Sequence, residues 1–233
     1  MYFSKVTVMP SQLNRNEMIK MFAADSYNDH QLLWRLFDGD EQRQFIYRRE
    51  QGSNEQDARL GYSNALPIFY LVSEDLPQSV SGLHAQSKAY DPQLTVGSEF
   101  AFNLRVNPTV AKRDPNKKHS ARHDVLLLAN REAKEAKLSQ SQKAANIKQA
   151  ADTWLLNRAE QYGFSLEPEA FMHDRHDVHR FVKAKSKHKV NVSSIDYHGL
   201  LQVEDVELFR QTLFKGLGRA RGFGCGMMMI RRV

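Results

Sequence analysis

The order of expected elements places this chain in the α+β class, as two tandem domains with antiparallel sheets. Two observations carry that assignment. The first third reads strand, helix, strand, strand, and the rest of the chain runs through a similar order again. The length, 233 residues, exceeds one minimal domain and suits two small ones. Strand, helix, strand, strand is most of a β-α-β-β-α-β unit. Each half is therefore expected to be ferredoxin-like (RRM-like), the first over 1–86 and the second over 98–233. No clear residue-level repeat accompanies the repeated order.

The opening residues alternate, with Tyr2, Ser4, Val6 and Val8 on one side and Phe3, Lys5 and Thr7 on the other, which reads as a strand. Ser26 and Asp29 make a Ser-x-x-Asp start signal for a helix. Leu33, Trp34 and Phe37 recur at helical spacing behind it, and Asp38-Gly39-Asp40 ends it. Phe45–Glu50 reads as the second strand. A polar loop from Gly52 to Gly61 leads to a third, Pro67–Val72. The second helix has no strong signal; a short one is expected near Leu76–Ala85, followed by a polar linker over Gln86–Gly97.

The second half opens on another alternating strand, Phe100–Val106, stopped by Pro108. From His123 to about Tyr162 the composition is helical. Its middle, Asn130–Ala151, is rich in Ala, Lys, Gln and Glu and is expected to be an exposed helix or flexible insert. Phe181–Lys185 and Val190–Val192 read as strands around a basic turn, and Tyr197–Val203 as a further strand. Asp205–Lys215 reads as a helix with Val206, Phe209, Leu213 and Leu217 inward. Gly226–Arg232 is the closing strand.

Composition points to a polyanionic partner. Net charge is +6, from 33 Lys+Arg against 27 Asp+Glu, and such an excess favours nucleic acid first. Cys225 is the single cysteine, so no internal disulfide and no Cys-based zinc site is expected. That fits a reducing cytoplasm. The N-terminus is too short and too charged for a signal peptide. No run approaches the roughly 20 apolar residues of a membrane span.

The segment Gly216–Gly226 holds five glycines with Arg219 and Arg221 between them. Glycine permits φ > 0 and close approach, successive N–H groups form an anion site, and arginine adds bidentate phosphate donors. Gly218, Gly222 and Gly224 with Arg219 and Arg221 are thus candidate RNA contacts. The alternative is a tight helix-to-strand turn. The loop follows a helix and precedes a strand, the reverse of nucleotide-binding motifs, which disfavours a nucleotide-binding enzyme.

Several motifs occur together in one order. They are Met1–Val6, Tyr27-Asn28-Asp29-His30-Gln31-Leu32-Leu33-Trp34, Phe45–Arg48, Leu104-Arg105-Val106-Asn107-Pro108, Arg122-His123-Asp124-Val125, Trp154-Leu155 with Tyr162-Gly163-Phe164, and the glycine segment. This ordered set resembles the CasE family of CRISPR-associated endoribonucleases, the RNA-processing subunits of type I-E Cascade, over essentially the whole chain. The resemblance implies tandem ferredoxin-like domains and metal-independent cleavage of the CRISPR precursor transcript beside each repeat hairpin. It also implies an enzyme that keeps its product as a Cascade subunit. The Asn130–Ala151 stretch is longer than the family pattern.

RNA brings its own nucleophile, the 2′-OH. The enzyme must remove that proton, protonate the leaving 5′-oxygen and stabilise the phosphorane, which a histidine, a second polar group and cations accomplish. The products are a 2′,3′-cyclic phosphate and a 5′-hydroxyl. Tyr27 and His30, three apart, share a helix face. A helix N-terminus favours neutral imidazole. A lone histidine is more often a core residue; the family match of Tyr-x-x-His makes His30 the catalytic candidate, with Tyr27 beside it. Which group is base and which acid stays open. Lys183, Lys185, Lys187 and Lys189 alternate in register and suit a hairpin reaching a duplex groove. Lys112, Arg113, Lys117, Lys118 and Arg122 form a second basic cluster, and Arg105 joins the RNA-contact set. The histidines at 173, 176 and 179 do not share a helical face closely, so no metal site and no cofactor is expected. The expected partners are the CRISPR repeat RNA hairpin and other Cascade subunits, with a monomer when free and no membrane. The alternative is a non-catalytic RNA-hairpin-binding subunit, which has no need of Tyr27 and His30.

Overall fold

In β1 (Tyr2–Val8) the expected alternation is realised, with Ser4, Val6 and Val8 buried. The computed structural model describes residues 1–22, 26–38, 44–52, 66–113, 121–182 and 189–233. β1 is central in an antiparallel four-stranded sheet with β2 (Phe45–Gln51), β3 (Pro67–Ser73) and β4 (Leu83–Ala89), in the order β2-β3-β1-β4. Between β1 and β2 lie two helices. α1 (Arg15–Phe22) was not expected, yet its signal is present. The Asn14 side chain accepts from the Glu17 N–H, and Glu17 reaches back to the Asn14 N–H, a reciprocal cap. α2 (Ser26–Trp34) starts at Ser26, so that residue is helical rather than a cap before the helix. Leu33 and the following Leu36 are buried in one core with Val6, Val8, Phe45, Tyr47, Phe69, Leu71 and Leu83.

The short helix expected near Leu76–Ala85 is absent, and the expected linker from Gln86 is partly strand, since β4 runs Leu83–Ala89. Geometry explains both. β3 and β4 both pair antiparallel with β1, so they run parallel to each other. Residues 74–82 must return along the full strand, a span of about 20 Å. Nine helical residues cover only about 13 Å; nine extended ones reach about 30 Å. An irregular crossover is the form that fits.

In the second half, β5 (Glu99–Val106) buries Phe100, Phe102, Leu104 and Val106 by strict alternation. β6 (Thr109–Lys112) and β7 (Ala121–Asp124) pair as a small ribbon that carries Lys112 and Arg122 of the basic cluster. Asp124 then caps α3 (Val125–Glu135), its carboxylate accepting from the Leu127 N–H. Ser139 and Gln142 form a capping box for α4 (Gln140–Ala159). Asn130–Ala151 is therefore a helical hairpin, broken where Lys137 turns left-handed (φ +53°). Ala151, Trp154, Leu155 and Ala159 supply its inward face.

β8 (Phe164–Ser165), β9 (Phe171–Val182), β10 (Lys189–Val203), α5 (Val206–Lys215) and β11 (Met228–Arg232) complete the chain. The sheet order is β11-β5-β10-β8, with β9 also on β10. Both sheets thus have the fourth-first-third-second order of a split βαβ arrangement, and the fold is two ferredoxin-like units. Val190–Val192 and Tyr197–Val203, expected as separate strands, are one. The polar run between them is buried with partners: Asn107 donates to Ser193, His179 meets Ser194, and Arg105 donates to Asp196. A bulge near Ser194, with Arg175 left-handed opposite it, absorbs the irregularity. By contacts the first unit comprises Met1–Gln93, Phe214–Gly216 and Ala220–Met227; the second comprises Leu94–Leu213, Leu217–Arg219 and Met228–Val233.

Candidate active site

α2 and β2 build the site within the first unit. Asp29, 3% exposed at its side chain, is held by the Arg49 guanidinium of β2 at 2.6 Å, and Arg49 lies over the Phe69 ring. A buried pair like this is costly to break, because the surviving charge is left without its counter-ion. It pins the helix against the strand one residue before His30. The His30 ring is half-buried on an aromatic floor. It stacks on Phe45 (centroids 5.6 Å apart, planes at 30°), meets Trp34 edge-on at 5.2 Å, and lies 6.3 Å from Tyr47. Tyr27 is one turn earlier on the same helix; its side chain lies outside the described residues.

The glycine segment reaches the same unit through the 3-10 turn Arg221–Phe223, which packs against α2 and β2. The Tyr47 hydroxyl donates to the Gly222 carbonyl at 3.3 Å. Gly224 is left-handed (φ +77°), and a Cβ there would sit 3.4 Å from the Tyr47 ring. Gly222 lies inside the turn and is not among the left-handed glycines. Part of the expected anion cradle is spent internally. The Phe223 and Cys225 N–H groups both donate to the Ala220 carbonyl, and the Gly218 N–H donates to the Tyr162 hydroxyl. Arg221 donates to the Lys215 carbonyl at 2.7 Å, closing the end of α5, while Arg219 is exposed. Cys225 is buried and in no disulfide.

The remaining candidate contacts fall into three groups. Arg105 makes a bidentate pair with Asp196, its direct cross-strand neighbour, at 2.7 Å for both bonds. Lys112, Arg113 and Arg122 are exposed on and beside the β6–β7 ribbon, with Lys112 3.3 Å from Glu132. Lys117, Lys118, Lys183, Lys185 and Lys187 lie outside the described residues. Lys189 opens β10, its side chain likewise undescribed.

The histidine run lies on β9. His173 lies 3.6 Å from Asp152, His176 3.1 Å from Asp124, and His179 3.3 Å from Ser194. Each has its own neighbour, and among the described residues no three His, Cys, Asp or Glu side chains converge as metal ligands do. Burial holds His173 below its ordinary value, against the pull of the Asp152 carboxylate. Burial pushes the Asp124 carboxyl up, but bonds from His176, Ser193 and the Leu127 N–H outweigh it and hold the group below its ordinary value.

Sequence reasoning singled out His30 and the glycine segment as candidates but not Tyr47 or the Asp29–Arg49 pair, which the structure places beside them. The available signal was the run Phe45–Arg48, four consecutive residues that are all buried. A strand covered on both faces shows no alternation.

Among the described residues no helix is long and apolar enough to cross a membrane. The chain is 23% identical to the CRISPR system Cascade subunit CasE of Escherichia coli K12, over 99% of this chain and 98% of that protein. Its fold resembles that of the Escherichia coli K-12 CRISPR-associated protein Cas6e (TM-score 0.64, 20% identity, all of both chains). It also resembles Thermus thermophilus Cse3 bound to an RNA representing a pre-cleavage complex (TM-score 0.65, 19% identity, 99% of this chain and 98% of that one). A family model described as "CRISPR associated protein" matches residues 1–232, and the chain belongs to that family of CRISPR-associated proteins.

Proposed function

We propose that this protein is a metal-independent endoribonuclease that cleaves CRISPR precursor RNA beside the repeat hairpin and keeps the product as a Cascade subunit. The observation that carries the reading is His30 on its aromatic floor, one helical turn after Tyr27, with the glycine segment packed against the same helix and strand. The substrate's 2′-OH attacks the adjacent phosphate. His30 moves a proton in that step, Tyr27 orients or exchanges the other, and the 5′-oxygen leaves with a 2′,3′-cyclic phosphate behind it. Arg219, the exposed cations of the β6–β7 ribbon and the lysines of 183–189 hold the RNA backbone. The names of the relatives, a Cascade subunit and an RNA-bound endoribonuclease, support the same reading. The protein works in the cytoplasm, as a monomer before it joins its RNA and partner subunits.

Cleavage of repeat RNA in excess EDTA tests this. The protein should cut, leaving a cyclic phosphate, and a single deoxyribose 5′ of the scissile phosphate should block cutting entirely. Activity that vanishes in EDTA and returns with Mg²⁺ refutes the metal-free reaction. Tight binding without cutting supports a non-catalytic hairpin binder instead.

A further inference from the structure

We propose that Tyr47 is a positioning residue that couples the glycine-rich segment to the His30 helix; this rests on the reading of His30 as the catalytic group. Tyr47 is 1% exposed, in the core of the first unit. Phenylalanine would fill that space equally well, and a buried hydroxyl is costly unless it is bonded. Its hydroxyl donates to the Gly222 carbonyl, 175 residues away in sequence. The same ring faces Gly224, where φ is +77°, a conformation that strains any side-chain-bearing residue, and where a Cβ would come into contact with the ring at 3.4 Å. The ring is also 6.2 Å from Phe45 and 6.3 Å from His30. One side chain therefore touches the platform of the histidine and the backbone of the glycine segment.

The segment needs such a tie. Ala220 is left-handed at φ +57°, a conformation that costs energy in a non-glycine residue and persists where neighbours enforce it. Ala220 also accepts the Phe223 N–H that closes the turn, so its strain and the position of Gly222 are linked. Tyr47 holds the Gly222 carbonyl through its hydroxyl and packs beside left-handed Gly224. The spacing between the segment and His30 is then set by a strand, not by the loop itself. Displacements of about 1 Å in a catalytic constellation cost up to about 100-fold in rate.

The test uses Tyr47→Phe, Gly224→Ala and the double variant, with His30→Ala alongside. Single-turnover cleavage at saturating repeat RNA, hairpin affinity and thermal midpoint are measured for each. Tyr47→Phe should slow cleavage about tenfold while affinity and folded fraction remain near wild type. The double variant should be no slower than the slower single, because both changes release the same tie. Wild-type cleavage by Tyr47→Phe beside an inactive His30→Ala overturns the proposal. So does a rate loss that merely follows the unfolded fraction, or two losses that multiply. Wild-type cleavage by His30→Ala removes the catalytic reading, and this proposal with it.

Discussion

His30 and His173 show how one residue type acquires different work from its surroundings. His30 is stacked on aromatic rings on a helix whose neighbour Asp29 is pinned by Arg49. His173 is held on a strand beside Asp152 at 3.6 Å, beyond hydrogen-bond length, and burial holds it below its ordinary value. The sequence marked both, but only through neighbouring letters. Tyr-x-x-His pointed to a helix face, whereas the spacing of 173, 176 and 179 was judged against a helix they do not occupy. The consequence for His173 is a stability that depends on pH. The unfolded chain takes up a proton near the ordinary value of 6.5, and the folded chain does so only at lower pH. Its contribution is full above that value and is lost as pH falls through the folded one. The thermal midpoint should therefore fall between pH 7 and pH 5, and His173→Asn should make that fall shallower. An identical slope in the variant assigns the loss elsewhere. Asp124 acts with the same sign, in a lower window below its ordinary 3.8, so the two are separable.

Elements were legible where periodicity was local and hidden where connection geometry decided. β1 and β5 were plain because each buries one face. A short helix near Leu76–Ala85 is what the letters suggest, because nothing in residues 74–82 states the distance they must span. β10 was split in two because Ser193, Ser194 and Asp196 read as polar punctuation, when each is buried against a partner from another element. β9 and β10 pair from Phe171–Gly199 to Val182–Lys189, and Lys183, Lys185 and Lys187 fall in the sequence between the two strands, outside the described residues. If the basic turn expected there from sequence enters the open end of a hairpin's groove, replacing Lys185, Lys187 and Lys189 with Ala weakens binding. Each lost phosphate contact should flatten the slope of log K against log[salt] by about 0.7–0.9, while the cleavage rate at saturation stays near wild type. An unchanged slope removes this turn from the RNA interface.

Across the whole molecule, tandem organisation was readable from element order alone, and both sheets carry the same strand order. What the order did not convey is that residues 220–227, near the end of the chain, are part of the first unit. That long-range closure places the glycine segment against α2 and β2 and makes the candidate site from residues nearly 200 positions apart. Sequence patterning sees neighbours a turn or a strand away, so it marks His30 and the segment as separate candidates and does not mark the tyrosine that contacts both. The central claim is that this assembled site cuts RNA through His30. The most direct measurement is single-turnover cleavage of repeat RNA in EDTA by the wild type and by His30→Ala, with hairpin affinity measured on the same samples. The wild type should cleave, and His30→Ala should be slower by roughly 10²–10⁴-fold with affinity within a few-fold. Cleavage by His30→Ala at the wild-type rate, or none by the folded, hairpin-bound wild type, contradicts the claim.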